Sequence, residues 1–355
     1  MLIAIIVIVG LSLLILGHEA GHFLVAKILR LKVDEFGFGF PPRIAAWRRG
    51  ETEYSVNWLP FGGFVKIAGE RGEFEMVHPQ EDAAPGETAV PRSGGSRLLY
   101  SQPAWKKSLI MLAGVFVNFL LGWLFLSLTL MSGAPRAVVI SAVQPGTPAA
   151  AAGLMTGDVI QDYTNVQDFI NYVNAHRGEP TAITVTRNGR TMNDTVTPRV
   201  NPPPGQGAMG VELAEAGTKS EGFFSAVRDG LVDAGVIAWL TIIAFGHLIG
   251  QLFSHGTLLA GVVGPVGIFG VAEETGRIGL VYLLQLIGVI SINLMVVNLI
   301  PFPALDGGRF VMTIIEKIKG SAIPYKVEAW VNGAGFAFLV ALMVLLTIRD
   351  VSGLL

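Results

Sequence analysis

The sequence predicts a mainly α-helical polytopic membrane protein, with four transmembrane helices, a membrane-associated β-hairpin and an inserted extracytoplasmic α+β domain. Three observations carry this. Of the 355 residues, 51% are hydrophobic and only 15% charged, against about 25% charged in a typical soluble domain. The apolar residues gather into runs of about 20 or more, the length that crosses a bilayer as a helix, and mean hydropathy over the chain is +0.56. Between those runs lie stretches of ordinary soluble composition. A net charge of −2 offers nothing to hold nucleic acid. The absence of cysteine excludes disulfides, thiolate nucleophiles and Cys-ligated metals, so any metal must sit on His, Asp or Glu.

The first span is expected over Leu2 to Ala26. No basic residue precedes it and its apolar run continues past His18 and Glu19, unlike a cleaved leader. Residues 27–107 hold 12 of the 25 Lys and Arg, with Lys27, Arg30 and Lys32 just behind the first span and Lys106 and Lys107 against the second. The positive-inside rule places this stretch in the cytoplasm and the N-terminus outside. Within it, Glu53 to Ile67 alternates at Tyr54, Val56 and Trp58, bends at Pro60 and Gly62-Gly63, and resumes at Phe64, Val65 and Ile67. That is a β-hairpin pattern. Residues 71–106, with Gly94-Gly95-Ser96, read as a cytoplasmic loop, and the second span runs from Ser108 to Met131.

Residues 136–200 are expected outside as a small folded domain. Ala137 to Val143 is a strand, Gln144 to Pro148 a turn, and Val166 to Asn174 a helix by its apolar spacing. Thr181 to Thr186 and Thr191 to Val196 are strands joined at Asn188-Gly189, before Pro202-Pro203-Pro204-Gly205 breaks the chain. The third and fourth spans are Ile278 to Ile300 and Trp330 to Ile348. Leu231 to Leu252, which contains Asp233 and His247, reads as a helix lying on or dipping into the outer surface rather than crossing. The resulting division is 1–135, 136–215 and 216–355.

The chemistry is concentrated in His18-Glu19-Ala20-Gly21-His22. On a helix the imidazoles at i and i+4 share a face and can reach one ion, with Glu19 placed to take a proton from water. Zinc suits such ligands. The plain alternative, a helix end with ordinary hydrogen bonds, is disfavoured inside a span, where ionisable groups are costly. A third ligand is expected from Asp306, in the run Asn298-Leu299-Ile300-Pro301-Phe302-Pro303-Ala304-Leu305-Asp306-Gly307-Gly308. Pro301 and Pro303 end the third span's helix and open the backbone there. Four spans put His18, about 25 Å along the first helix, and Asp306 on the same cytoplasmic side. A fifth crossing at 231–252 would part them.

These residues resemble the site-2 proteases, the intramembrane zinc metalloproteases, and within them the bacterial RseP-type branch with an extracytoplasmic PDZ domain. The resemblance covers nearly the whole chain. It is carried by the H-E-x-x-H span, Gly37-Phe38-Gly39-Phe40-Pro41, Gly62-Gly63-Phe64-Val65-Lys66, Gly264-Pro265-Val266-Gly267 and the N-x-x-P-x-P-x-L-D-G run. Pro148 to Leu154 and Gly157-Asp158-Val159-Ile160 match a PDZ signature, but Gln161 to Asn165 stands where such domains carry a longer strand and turn. There is room for one PDZ domain, not two in tandem. The resemblance implies zinc held by His18, His22 and Asp306, Glu19 as general base and Asn298 in contact with substrate, with a membrane-associated β element near Gly62 and Gly63.

The chain is therefore expected to be a multi-pass protease of the bacterial inner membrane that cuts transmembrane segments near the cytoplasmic side, with both termini and the PDZ-like domain outside. A helical substrate must unwind before water can attack it, and an extended one needs a strand edge, for which 53–67 is the candidate. Asn293 and Asn298 are candidates to bond the unwound backbone, against a helix–helix bond as the alternative. Expected partners are the lipid bilayer and single-span membrane proteins, such as an anti-sigma factor or remnant signal peptides. A metal transporter and a non-catalytic PDZ scaffold are the rival readings; the first has little use for such a domain, the second none for Glu19. His247 and His255 are expected near the outer surface without metal, and His78 and His176 in polar loops.

Overall fold

The computed structural model describes residues 2–70, 97–187, 190–203, 205–255 and 264–352. The chain divides into two compact units, Met1–Leu124 with Val232–Phe269 and Ile287–Leu355, and Phe125–Leu231 with Gly270–Leu286.

Helices dominate the first unit. They are α1 (Leu2–Ile28), α2 (Ala104–Ser132, whose end belongs to the second unit), α5 (Phe223–His255) and α7 (Leu280–Leu299), whose first turns belong to the second unit, α8 (Asp306–Lys319) and α9 (Tyr325–Ser352). Among the described residues, five helices are long and apolar enough to cross a membrane: Ile3–Ile28, Ala104–Ser132, Phe223–Leu248, Leu280–Leu299 and Lys326–Ser352. Each expected span falls on one of them. The segment expected to lie on the surface is part of a fifth helix with the same properties. Helices answer to lipid because each backbone polar group is satisfied within its own segment. The loop expected over 71–106 is shorter than that, since Leu99–Ser101 forms a 3₁₀ turn and α2 begins at Ala104; residues 71–96, with His78 and the Gly94-Gly95-Ser96 cluster, lie outside the described residues.

The same unit contains an antiparallel sheet of β1 (Val33–Arg49) and β2 (Thr52–Ile67). This corrects the hairpin expected within 53–67 alone. Residues 52–67 form one strand, and the partner is the segment before it. Gly37, Gly39, Pro41 and Pro42 hid that partner, being residues that weaken a strand pattern. Glu35, Phe36, Gly37 and Phe38 each face two positions of β2, Phe36 for example both Tyr54 and Val65. The first half of β1 thus lies between the two halves of β2, and residues 63–67 form an edge. One carboxylate ties the arms together. Glu35 accepts from Ser55 Oγ at 2.7 Å and Arg43 at 2.8 Å, and Lys66 Nζ stands 3.2 Å away. Burial alone would raise its pKa, but the bonds from Ser55 and Lys66 and the two cations hold it below the usual carboxylate range. The sheet rests on Ala26, Leu31, Val33, Ile67, Leu99 and Ile110.

The second unit carries a five-stranded antiparallel sheet in the order β6-β5-β4-β3-β7. Its strands are β3 (Ala134–Val143), β4 (Val159–Ile160), β5 (Thr181–Arg187), β6 (Arg190–Val196) and β7 (Val211–Thr218). Two helices, α3 (Pro148–Ala151) and α4 (Val166–Ala175), pack with it. Both start on side-chain caps: Thr147 accepts from Ala150 N, and Asn165 from Gln167 N and Asp168 N. The core is aliphatic, with Val138, Ile140, Ile160, Val185 and Val196 around Phe169. Strand β7 was not visible in the sequence, because the prolines before it read as the end of the domain. The turn expected at Asn188-Gly189 lies outside the described residues. Helix α6 (Pro265–Ile278) completes the order of elements.

Candidate metal centre

His18, Glu19 and His22 lie one turn apart on α1, and the two imidazoles stand edge to face with ring centres 4.8 Å apart. Helix α7 ends at Leu299, and the chain turns through Pro301 and Pro303 into α8, whose first residue is Asp306. That turn is tightly built. Ala304 adopts φ +72, its N–H donates to Asn332 Oδ1 at 3.1 Å, and a Cβ on Gly307 or Gly308 would come within 2.4 Å of the carbonyls of Leu299, Ile300 and Phe302. Only glycine lets α8 start so close behind the end of α7.

The result brings together two motifs almost three hundred positions apart. Asp306 Oδ2 lies 3.0 Å from His18 Nε2 and 3.3 Å from His22 Nε2, and the two nitrogens are 3.2 Å apart. The side chains are only 12%, 9% and 15% exposed for His18, His22 and Asp306. Yet Oδ2 is buried and makes no hydrogen bond of normal geometry. In a tetrahedral zinc site with bonds of about 2.0–2.1 Å, neighbouring ligand atoms stand about 3.3 Å apart. The three donors fit that spacing and that donor set.

Two groups on α2, absent from the sequence reading, orient the imidazoles. His22 Nδ1 is 2.7 Å from Ile110 O, which as an acceptor requires the proton on Nδ1 and leaves the Nε2 lone pair towards Asp306. His18 Nδ1 is 3.2 Å from Nδ2 of Asn118, a residue 1% exposed whose Oδ1 makes no hydrogen bond among the described residues; with the amide turned over, Oδ1 accepts from His18 Nδ1–H and the Nε2 lone pair is free for a metal. Gly114 makes room for both rings, since a Cβ there would lie 2.5 Å from His22 Nε2 and 2.7 Å from His18 Cε1. The only sequence signal for these was a small residue and an amide inside an apolar span.

The sequence pattern of Peptidase family M50 matches residues 6–342 of this chain. The chain belongs to peptidase family M50. It is 34% identical to a Clostridium perfringens protein that carries the name of a zinc metalloprotease, the match covering 97% of each. It is 30% identical to the zinc metalloprotease RasP of Geobacillus kaustophilus, over 97% of this chain and 96% of that one. To the regulator of sigma-W protease RasP of Bacillus subtilis it is 29% identical, over 99% and 98%. With the His–His–Asp cluster, membership of M50 makes this a zinc metalloendopeptidase of the membrane.

The remaining candidate residues of this M50 chain divide. Glu19 and Asn298 line the same cavity of about 290 Å³ as His18, His22 and Asp306. Gly63 is set behind Glu19, where a Cβ would be 3.4 Å from Glu19 Cγ, and Gly62 next to it adopts φ +123 against the ring of Phe40. Asn293 is placed otherwise: its Oδ1 accepts from Thr241 Oγ1 of α5 at 2.7 Å, a helix–helix bond. His247 is exposed on α5, and His176 Nδ1 bonds Tyr172 O at 2.8 Å at the end of α4. The side chain of His255 lies outside the described residues.

Proposed function

We propose that this zinc metalloprotease hydrolyses peptide bonds within transmembrane segments of single-span membrane proteins, near the cytoplasmic side. The observation that carries it is the convergence onto one point of His18 and His22, from the membrane-length helix α1, and Asp306, just beyond the end of the membrane-length helix α7, with Glu19 in the same cavity. Zinc held by these three residues would polarise a peptide carbonyl and make water acidic enough to ionise near neutral pH. Glu19 takes the proton from the attacking water and returns it to the leaving amine. Ile110 and Asn118 keep the imidazoles turned with Nε2 inward. Asn298 bonds the unwound substrate backbone, and the edge at residues 63–67, with Gly62 and Gly63 at its start, receives that backbone as an added strand. Asn293, already bonded to Thr241, serves helix packing. The exposed Phe40, Ile44, Trp47, Trp58 and Leu59 suit a sheet in contact with lipid.

The topology that goes with this has four spans in a bacterial inner membrane, residues 27–107 inside and both termini outside. Connectivity supports it. Leu130 is about 24 Å beyond Gly114 along α2, and Leu130 O accepts from Glu221 N, just before α5. Asp350 is about 22 Å beyond Gly335 along α9; Gly335 packs on Pro303, and Asp350 accepts from Gly264 N and Gly267 N, at the start of α6. Glu221, just before α5, is thus bonded at the end of α2 and the start of α6 at the end of α9, and 231–252 is kept here as an interfacial or re-entrant segment. Domain boundaries near 135 and 215 follow, with a PDZ-like domain outside that recognises a freshly exposed terminus. The cavity of about 320 Å³ between α4 and β7, lined by Phe169, Ile170, Val173 and Gly207 to Val211, suits that use. The substrate would be an anti-sigma factor already cut outside, in keeping with the name of the B. subtilis relative, or a remnant signal peptide.

The test is Glu19→Gln in the full chain. Zinc content is expected to stay, and cleavage of a model single-span substrate to fall about 10²–10⁴-fold, the usual worth of a general base. Wild-type cleavage by this variant would end the proposal.

A further inference from the structure

Asp306 is followed one turn later on α8 by Arg309, and positions i and i+3 share a helix face. Arg309 lines the metal cavity, and so does Glu70, with which it forms an ion pair. Glu70 is attached to the sheet edge with little slack. It stands three residues beyond Ile67, the last residue of β2, and its N–H donates to Ile67 O at 3.0 Å, closing the turn between them. Val65 and Ile67 of that edge line the cavity as well. The pair therefore links the strand proposed to carry substrate with the helix that carries a metal ligand. It also stands between two cavities, because both residues line a second, smaller one with Lys107, Glu316 and Glu328.

We propose that Glu70 and Arg309 are positioning residues, whose ion pair sets the distance between the substrate-bearing edge at 63–67 and Asp306. This rests on the function proposed above. Neither side chain needs to touch the reacting atoms. Arg309 suits the task because its planar fork holds a carboxylate in a fixed orientation, which a lysine does not. An error of about 1 Å in placing a substrate can cost about 10²-fold in rate, so the strand edge and the metal residues must be held to a common frame.

The experiment measures zinc content, kcat and KM of the full-length protein in liposomes with a model single-span substrate, for wild type, Glu70→Gln, Arg309→Gln and the double variant. Each single variant is expected to keep its zinc and lose about 10–100-fold in kcat with little change in KM. The double variant is expected to lose no more than the worse single one, because both remove the same link. Arg309→Lys keeps the charge with poorer geometry and should fall between, and it replaces Arg309→Gln if that protein does not accumulate. Wild-type kcat in Glu70→Gln overturns the pairing, whatever Arg309 variants do. So do multiplying losses in the double variant, or a rise in KM at constant kcat. Failure of the underlying protease reading looks different: wild type and Glu19→Gln would then cleave alike.

Discussion

Two clusters of buried charge in this molecule are built from similar side chains and finished differently. In the five-stranded unit, Asp158 is fully buried and receives Arg187 Nε at 2.7 Å on one oxygen, with Arg187 NH2 at 2.7 Å and Met155 N at 2.9 Å on the other. The chain itself supplies the counter-charge. Around α1, His18, His22 and Asp306 instead bring three potential ligand atoms to one point, and among the described residues Asp306 Oδ2 makes no hydrogen bond of normal geometry. A buried carboxylate locked by its own arginine is architecture. Acceptors aimed at a common centre are stable only with a cation from outside, and their binding energy is then tied to the metal. Burial alone does not separate the two cases; satisfaction does.

The sharpest way to break that contrast is to remove an acceptor. His22→Ala should lose both zinc, read by metal analysis of the purified protein, and all measurable cleavage. Asp306→Ala should hold zinc more weakly and also fail to cleave. Full metal content in both variants would mean that the cluster is not the zinc site.

Gly114→Ala tests the same cluster without touching a ligand. In a helix interior alanine is preferred to glycine by about 1 kcal/mol, so propensity predicts a gain. The new Cβ would meet both imidazoles below 2.8 Å, so zinc affinity or activity should instead drop about 10–100-fold, with helix content by circular dichroism unchanged. Wild-type zinc affinity here would show that the ring positions are not under constraint.

The other cluster should behave in the opposite way. Asp158→Ala strands Arg187 and is expected to cost about 3 kcal/mol, seen as earlier proteolysis or melting of the five-stranded unit. Zinc content and cleavage of short substrates should not change. Joint loss of stability and zinc would erase the distinction between the two clusters.

The smallest effect is expected where charge is paired but wet. Glu51, in the turn between β1 and β2, accepts from Arg97 at 2.7 Å and Lys27 at 2.9 Å, and these bonds pull its pKa from 4.5 to about 2. A depressed carboxyl stabilises the fold above its unfolded pKa, and the contribution disappears as pH falls from 4.5 towards 2. Solvent screening keeps it below about 1 kcal/mol. Glu51→Gln should therefore melt slightly earlier than wild type at pH 7, and the gap should close in acid; a gap that persists at pH 2 would exclude this pair as its source.

Legibility followed the range of the interactions. His18 and His22 were readable because i and i+4 on a helix is a local fact. Asp306 was readable because two prolines announce where the helix must open. Strand β1 was missed, since its glycines and prolines contradict strand propensity and are outweighed only by the burial of alternate residues from Val33. Strand β7 was missed for a different reason: its partner β3 lies far back in the chain, beyond the prolines at 202–204. Asn293 shows the converse. Its spacing from Asn298 suggested a shared task, and its Oδ1 instead accepts from Thr241 of the helix opposite, the helix–helix bond that was the alternative.

By itself the sequence determined that this chain lives in a membrane, which segments are helical there, and which residue types stand at metal-ligand spacing. Those properties belong to neighbouring residues: apolar run length, helical period, proline breaks. Only the tertiary structure decided which nitrogen of each imidazole faces Asp306, that Gly114 and Asn118 of α2 lie against the rings, and that Glu70 meets Arg309. Each of these depends on the separation between backbones that no local period encodes, and a metal site tolerates errors of only a few tenths of an ångström in that separation.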